Sequence, residues 1–312
     1  MRNAAPAAAL VGVVALASAC SAPVVQPSTG QPRSRAQRAE LWVNPGSAPR
    51  NLFRGPSLGR RAPDPAARFT VLERDTGGFS ITYRVRDGRG DEWNVKIGPE
   101  AQPEVVASRI LWAVGYHQLP SFFLERWTAV EDGREQVLGG ARFRPRDLPL
   151  DSKGAWSWHS NPFVDTREYN ALLSLLMLIN STDLKDDNNE IYEPEPRPRG
   201  GPARLYVVKD LGASLGETGR VDPRRGYLEG FEREPFLLEP SGPFVRFAFR
   251  GRHQELVQRI PVTDLQWTCR RVLAIADSQW RDAFRAGNYD EDTTRRYVAR
   301  IRAKAQEALA LP

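Results

Sequence analysis

Alternation of apolar and polar positions begins at Arg68 and gives way to a helical period after Asp165. Phe69-Thr70-Val71-Leu72 predicts a first strand, and Asp75-Thr76-Gly77-Gly78 a turn. Phe79 to Val85 alternates as a second strand. The chain turns again at Asp87-Gly88-Arg89-Gly90, and Trp93-Asn94-Val95-Lys96-Ile97 predicts a third. A helix is predicted from Pro103, a residue suited to a first turn, through Val114. Phe122 to Val130 and Glu135 to Phe143 predict two more strands, joined at Glu131-Asp132-Gly133-Arg134. The order is βββαββ.

The second half is mainly helical. Asp165 or Thr166 can cap a helix that runs to about Asn180, with Tyr169, Leu172, Leu173, Leu176 and Ile179 on one face. Glu190-Ile191-Tyr192 and Arg204 to Val208 predict a short strand pair. Glu193 to Ala203, dense in Pro, Arg and Gly, is the loop between them. Two helices are predicted to close the chain, Thr263–Arg285 and Glu291–Leu309. The class is α+β, with a strand-rich unit over 66–148 and a helical unit over 149–312.

The first 65 residues have a different character. Met1-Arg2-Asn3 is a short basic start, and Ala4 to Ala19 is small and apolar, which is the pattern of an export signal over 1–19. Leu16-Ala17-Ser18-Ala19-Cys20 resembles the bacterial lipobox, which implies lipidation of Cys20 and a cell-envelope lipoprotein. Ser21 then implies the outer membrane, facing the periplasm or the surface. The alternative is an ordinary secretory signal in which Cys20 is incidental. Residues 20–65, rich in Pro, Arg, Ser, Gly and Ala, read as a disordered tether to that anchor, on which Trp42, Val43, Leu52 and Phe53 can dock locally.

Composition narrows the chemistry. The net charge of +6 is spread along the 312 residues, so no nucleic-acid partner is expected. With Cys20 lipidated, Cys269 has no disulfide partner and reads as a buried free thiol. The three histidines, His117, His159 and His253, are far apart, and the sequence contains no Cys or His cluster of metal-binding spacing. The tryptophans read as packing, and the face from Arg295 to Lys304 as solvated.

Two acidic stretches carry the candidate chemistry. Asp183-Leu184-Lys185-Asp186-Asp187-Asn188 follows the predicted apolar helix and precedes a short strand. Asp210-Leu211-Gly212 follows an apolar strand. By itself an acidic run is most often a solvated loop, and Gly77-Gly78 a hairpin turn. Their order along the chain adds more. The first stretch resembles the H-R-D-L-K-x-x-N catalytic loop of protein kinases, with Ser181-Thr182 in place of His-Arg. The second matches the Asp-Phe-Gly position with Leu for Phe, and Val95-Lys96-Ile97 resembles the strand lysine that contacts phosphates.

The chain therefore resembles the protein-kinase-like superfamily in a divergent form, nearer to atypical, phosphoinositide-kinase-like or secretory-pathway kinases. The resemblance implies a two-lobed fold: a five-stranded antiparallel N-lobe with one helix, and a mainly helical C-lobe. It implies Asp183 as the group that orients the substrate hydroxyl, and Lys185 as the charge facing the transferred phosphoryl group. Asn188 and Asp210 are then metal ligands. Lys96 holds phosphates, Gly77 and Gly78 belong to the phosphate loop, and Glu104 is the helix partner of Lys96, with Glu100 second. The implied cofactors are Mg2+ (or Mn2+) with ATP or another nucleotide, and the acceptor is a protein or small-molecule hydroxyl. Two other readings stand beside an active phosphotransferase. One is a pseudokinase-type binding or scaffolding lipoprotein without turnover; the other is an envelope lipoprotein of unrelated fold.

Overall fold

The computed structural model describes residues 34–46, 50–181, 183–197, 199–219 and 222–312. The export signal, Cys20 and Thr182 lie outside the described residues. The described chain opens on α1 (Arg35–Arg38), capped by Ser34, whose hydroxyl oxygen accepts the Gln37 N–H. Seven strands then form one sheet: β1 (Arg68–Asp75), β2 (Ile81–Arg86), β3 (Glu92–Ile97), β4 (Phe122–Leu124), β5 (Trp127–Glu131), β6 (Arg134–Leu138) and β7 (Ala141–Pro145). Their spatial order is β4-β7-β3-β2-β1-β5-β6.

Five strands were expected and seven are observed, because each of the two longer predicted strands is broken. Phe122 to Val130 breaks at Glu125-Arg126, and Glu135 to Phe143 breaks at Gly139-Gly140. At Gly140 an added Cβ would lie 2.5 Å from the Phe123 ring, so only glycine lets β4 approach β7 there. The sheet is also mixed: β1 pairs with β5 in parallel, Phe69 opposite Ala129.

The short link from β4 to β5 dictates the shape. Those strands hold the first and sixth places in the order, about 24 Å apart in a flat sheet. Three Cα steps reach only about 10 Å, so the sheet must curl. Aromatic side chains fill the inside of the curl. The ring centroids of Phe69 and Phe143 are 5.0 Å apart, those of Trp127 and Phe143 5.5 Å, and those of Tyr83 and Trp127 5.6 Å.

The single helix of this half, α2 (Ala101–Val114), packs the other way. Its Val106, Ala107, Ile110, Leu111 and Val114 belong to the larger apolar core of the helical half, not to the aromatic core of the sheet. It ends on Gly115, whose φ of 117° needs glycine and whose missing Cβ leaves room for Trp42. The Trp42 indole N–H donates to the Val114 carbonyl at 2.7 Å. Described residues of the expected tether after Ser34 are therefore part of the body. Leu41 and Leu52 are buried in the larger core, because this Pro-rich segment supplies apolar side chains where α2 would otherwise be bare.

The remaining half contains β8 (Leu150–Ser152), α3 (Arg167–Leu178), β9 (Asn189–Pro194) and β10 (Leu205–Val208), then α4 (Leu228–Arg233) and a hairpin of β11 (Leu237–Ser241) and β12 (Phe244–Phe247). It closes with α5 (Val262–Leu273), α6 (Asp277–Ala286) and α7 (Glu291–Leu309). Thr166 caps α3, as its place before the apolar period suggests. The predicted strand pair β9–β10 gains β8 as a third strand. The single helix expected over Thr263–Arg285 is two, because Ala276 is extended and the Gln279 side chain captures its N–H.

Candidate active site

The site begins with a conflict of like charges on β3 and β7. Trp93 and Val95 of β3 turn inward to the aromatic core, which leaves Asn94 and Lys96 on the other face. In register, Lys96 lies opposite Arg142 and Asn94 opposite Arg144. Cations directly opposite on one face repel unless a carboxylate lies between them. Glu104, in the first turn of α2, is that carboxylate. Its Oε1 accepts from Arg144 Nη2 at 2.8 Å and is ion-paired with Arg142 Nε at 2.9 Å; its Oε2 lies 3.0 Å from Lys96 Nζ. Its side chain is 1% exposed. Burial alone pushes its carboxyl up, but Arg142, Lys96 and Arg144 outweigh that and hold it below the ordinary glutamate range.

Lys96 faces the other half of the molecule as well. Its Nζ donates to both oxygens of Asp210, at 3.1 and 3.2 Å, and to Glu100 Oε2 at 3.3 Å. Burial pulls its ammonium down; Glu104 and Asp210 overcome that and raise it. At Asp210 burial raises the carboxyl, but Lys96 and the Gly212 N–H, which donates to Oδ1 at 3.2 Å, lower it on balance.

Asp210 is positioned through the backbone. It follows β10, which pairs with β9 in the register Val208 opposite Asn189. One residue before β9, the carbonyl of Asn188 accepts from the N–H groups of Lys209 at 2.8 Å and Asp210 at 3.3 Å. The Asn188 side-chain amide donates to the Asp183 carbonyl at 2.9 Å. The stretch Asp183–Asn188 and the Asp210-Leu211-Gly212 turn are thus joined to each other, and Lys96 joins both to the sheet. The Asp183 carboxylate is 32% exposed and takes Lys185 Nζ at 2.8 Å. Both line a cavity of about 700 Å3.

The glycine turn is less directly connected. Gly77 donates to Asp75 Oδ1 at 2.8 Å, and neither Gly77 nor Gly78 adopts a left-handed conformation. Ser80 makes the link instead: its hydroxyl donates to Glu100 Oε2 at 3.0 Å, and Glu100 contacts Lys96. Arg225 closes the arrangement from below, with Nε 3.0 Å from Glu100 Oε1 and its guanidinium 3.7 Å above the Phe79 ring. Three of these residues went unread in the sequence: Arg142, Arg144 and Arg225. The spacing of Arg142 and Arg144, two apart on one strand beside apolar Ala141 and Phe143, is the signal the chain carries for that pair. Arg225 lies in a polar loop and has no such signal.

No protein-family model matches this chain, and no curated protein does. Among solved structures it is similar to the crystal structure of the proinflammatory kinase CtkA of Helicobacter pylori. The identity is 9% and the TM-score 0.42, over 78% of this chain and 92% of that one. At that level the reading of the site rests on its own geometry.

Proposed function

We propose that this chain is a kinase-like phosphotransferase that uses ATP or another nucleotide with Mg2+ (or Mn2+) and acts on a protein or small-molecule hydroxyl. The observation that carries the reading is Lys96, held between Glu104 of a helix and Asp210 of a loop that is itself hydrogen-bonded to Asn188. A site for phosphates needs a fixed cation, and a site for their metal needs oxygen donors. The donor types fit magnesium: a partly exposed Asp210 carboxylate, and an Asn188 amide whose nitrogen is committed to Asp183 so that its oxygen is the donor it can offer. Those two residues would hold the metal, which when bound neutralises phosphate charge.

Lys96 would hold phosphates, swinging from Asp210 while Glu104 keeps it charged. The turn at Gly77 and Gly78 would lie over them. Asp183 would orient the acceptor hydroxyl at the mouth of the cavity, and Lys185 would face the transferred group. In this reading residues 66–148 and 149–312 are the two lobes of a kinase-like fold. Cys20 is the lipid anchor, and the protein faces the periplasm or the surface from the outer membrane. Loss of phosphate transfer in Asp183→Ala with unchanged unfolding supports the assignment; equal turnover in that variant overturns it. Fatty-acid labelling that disappears in Cys20→Ser tests the anchor.

A second reading is a pseudokinase-type binding lipoprotein. It is favoured by the same ion pair, because both oxygens of Asp210 are occupied by Lys96, and by Ser181-Thr182 where His-Arg is usual. Export also removes the protein from cytoplasmic ATP. A thermal shift with ATP and Mg2+ but no turnover on any acceptor selects it.

A further inference from the structure

Two of the three histidines, far apart in sequence, meet in space. His159 lies in the loop before α3. His253 opens the short 3-10 turn Gln254–Val257, and Glu255 sits within it. The Nε2 of His159 and the Nδ1 of His253 each lie 3.0 Å from the same oxygen, Glu255 Oε1, with 96 residues between His159 and Glu255. The two rings are edge to face with centroids 4.8 Å apart. One ligand atom from each residue falls within 4.8 Å of the others. Four-coordinate zinc with bonds near 2.0–2.1 Å sets its ligand atoms roughly 3.3 Å apart, so the group is within a small side-chain adjustment of that geometry.

Two further features set this cluster apart from a chance contact. His253 has φ 56° and ψ 46°, a left-handed conformation that costs a non-glycine residue about 1 kcal/mol or more. That backbone carries its ring to Glu255. All three side chains also reach solvent, and His253 and Glu255 line the same cavity as Asp183 and Lys185.

We propose that His159, His253 and Glu255 form a zinc-class transition-metal site on the wall of that cavity, with the remaining coordination position left to water or to an anionic oxygen. Two imidazoles and one carboxylate suit Zn2+, Co2+ or Ni2+ and not magnesium, which takes oxygen donors and keeps its water. The site is independent of phosphotransfer, and its test does not read turnover.

The experiment titrates untagged full-length protein with Co2+ by visible absorption and with Zn2+ by calorimetry. One equivalent of Co2+ is expected to develop intense low-coordinate bands that Zn2+ displaces and millimolar Mg2+ does not. The bands are expected to be lost in His159→Ala, Glu255→Gln and His253→Asn, the last chosen because Asn tolerates the left-handed backbone. They are expected to persist in Asp210→Asn. The groups are exposed, so the metal-free variants should melt within about 2 °C of the parent, and only the parent should gain stability with Zn2+. A titration without saturable bands, or one unchanged in the three variants, would show that the residues only hydrogen-bond one another and would overturn the proposal.

Discussion

Glu104 and Asp183 are both carboxylates with a lysine about 3 Å away, yet they belong to different kinds of structure. Glu104 is sealed under the sheet and faces three cations from two strands. Asp183 is a third exposed, faces one lysine two residues along, and borders a cavity. A buried carboxylate with several fixed partners is stable only while all of them remain, so it acts as an organiser. A half-exposed one with a single mobile partner contributes little to stability and is free to meet a substrate. The fold thus seals one carboxylate among three cations and leaves the other on a cavity wall.

The largest effect that can break this contrast is Glu104→Gln. It leaves Arg142 and Arg144 buried without their anion, removes one of the three carboxylates around Lys96, and is expected to cost about 3–5 kcal/mol, read as a lower urea midpoint. If Glu104→Gln were as mild as a surface change, the organising role would fall. Asp210→Asn removes a more open partner of Lys96; a loss of roughly 1 kcal/mol is expected, together with disappearance of any magnesium-dependent thermal shift by ATP.

Acid sharpens the same comparison. The carboxyls of Glu104 and Asp210 are both held low, so their contribution is present at neutral pH and is lost as pH falls below the ordinary carboxylate range and through their folded values. Lys96 is raised, so its contribution persists through neutral pH and fades only in strong base. Unfolding measured from pH 7 to pH 3 should show a steep acid limb in the parent that is shallower in Glu104→Gln. The smallest stability effect is expected from Asp183→Asn, within about 0.5 kcal/mol by the same urea measurement, even where phosphate transfer is abolished.

Much of this arrangement was legible in the sequence. The alternation over Phe79–Val85 and Trp93–Ile97 locates β2 and β3, and the period of Tyr169, Leu172, Leu173 and Leu176 locates α3. Lys96, Asp183–Asn188 and Asp210 were nominated together by their resemblance, in order, to protein-kinase motifs. What was not legible had specific causes. Gly140 leaves room for the Phe123 ring where a predicted strand is interrupted, a contact between strands that no local pattern announces. Glu104 and Glu100 were both offered to Lys96, and both touch it; Glu104 alone of the two bridges Arg142 and Arg144, which follows from the β3–β7 register.

The sequence by itself determined the local units: where strands alternate, where helices begin, and where an acidic stretch follows an apolar one. Those follow from periodicity and capping over a few residues. Only the tertiary structure decided which charges meet. Lys96 and Asp210 are 114 residues apart, and His159 and Glu255 are 96 apart. The first pair is selected by how the curled sheet and the β9–β10 hairpin pack and the second by how the loop before α3 meets the Gln254–Val257 turn, and packing is a property of the whole chain rather than of any segment.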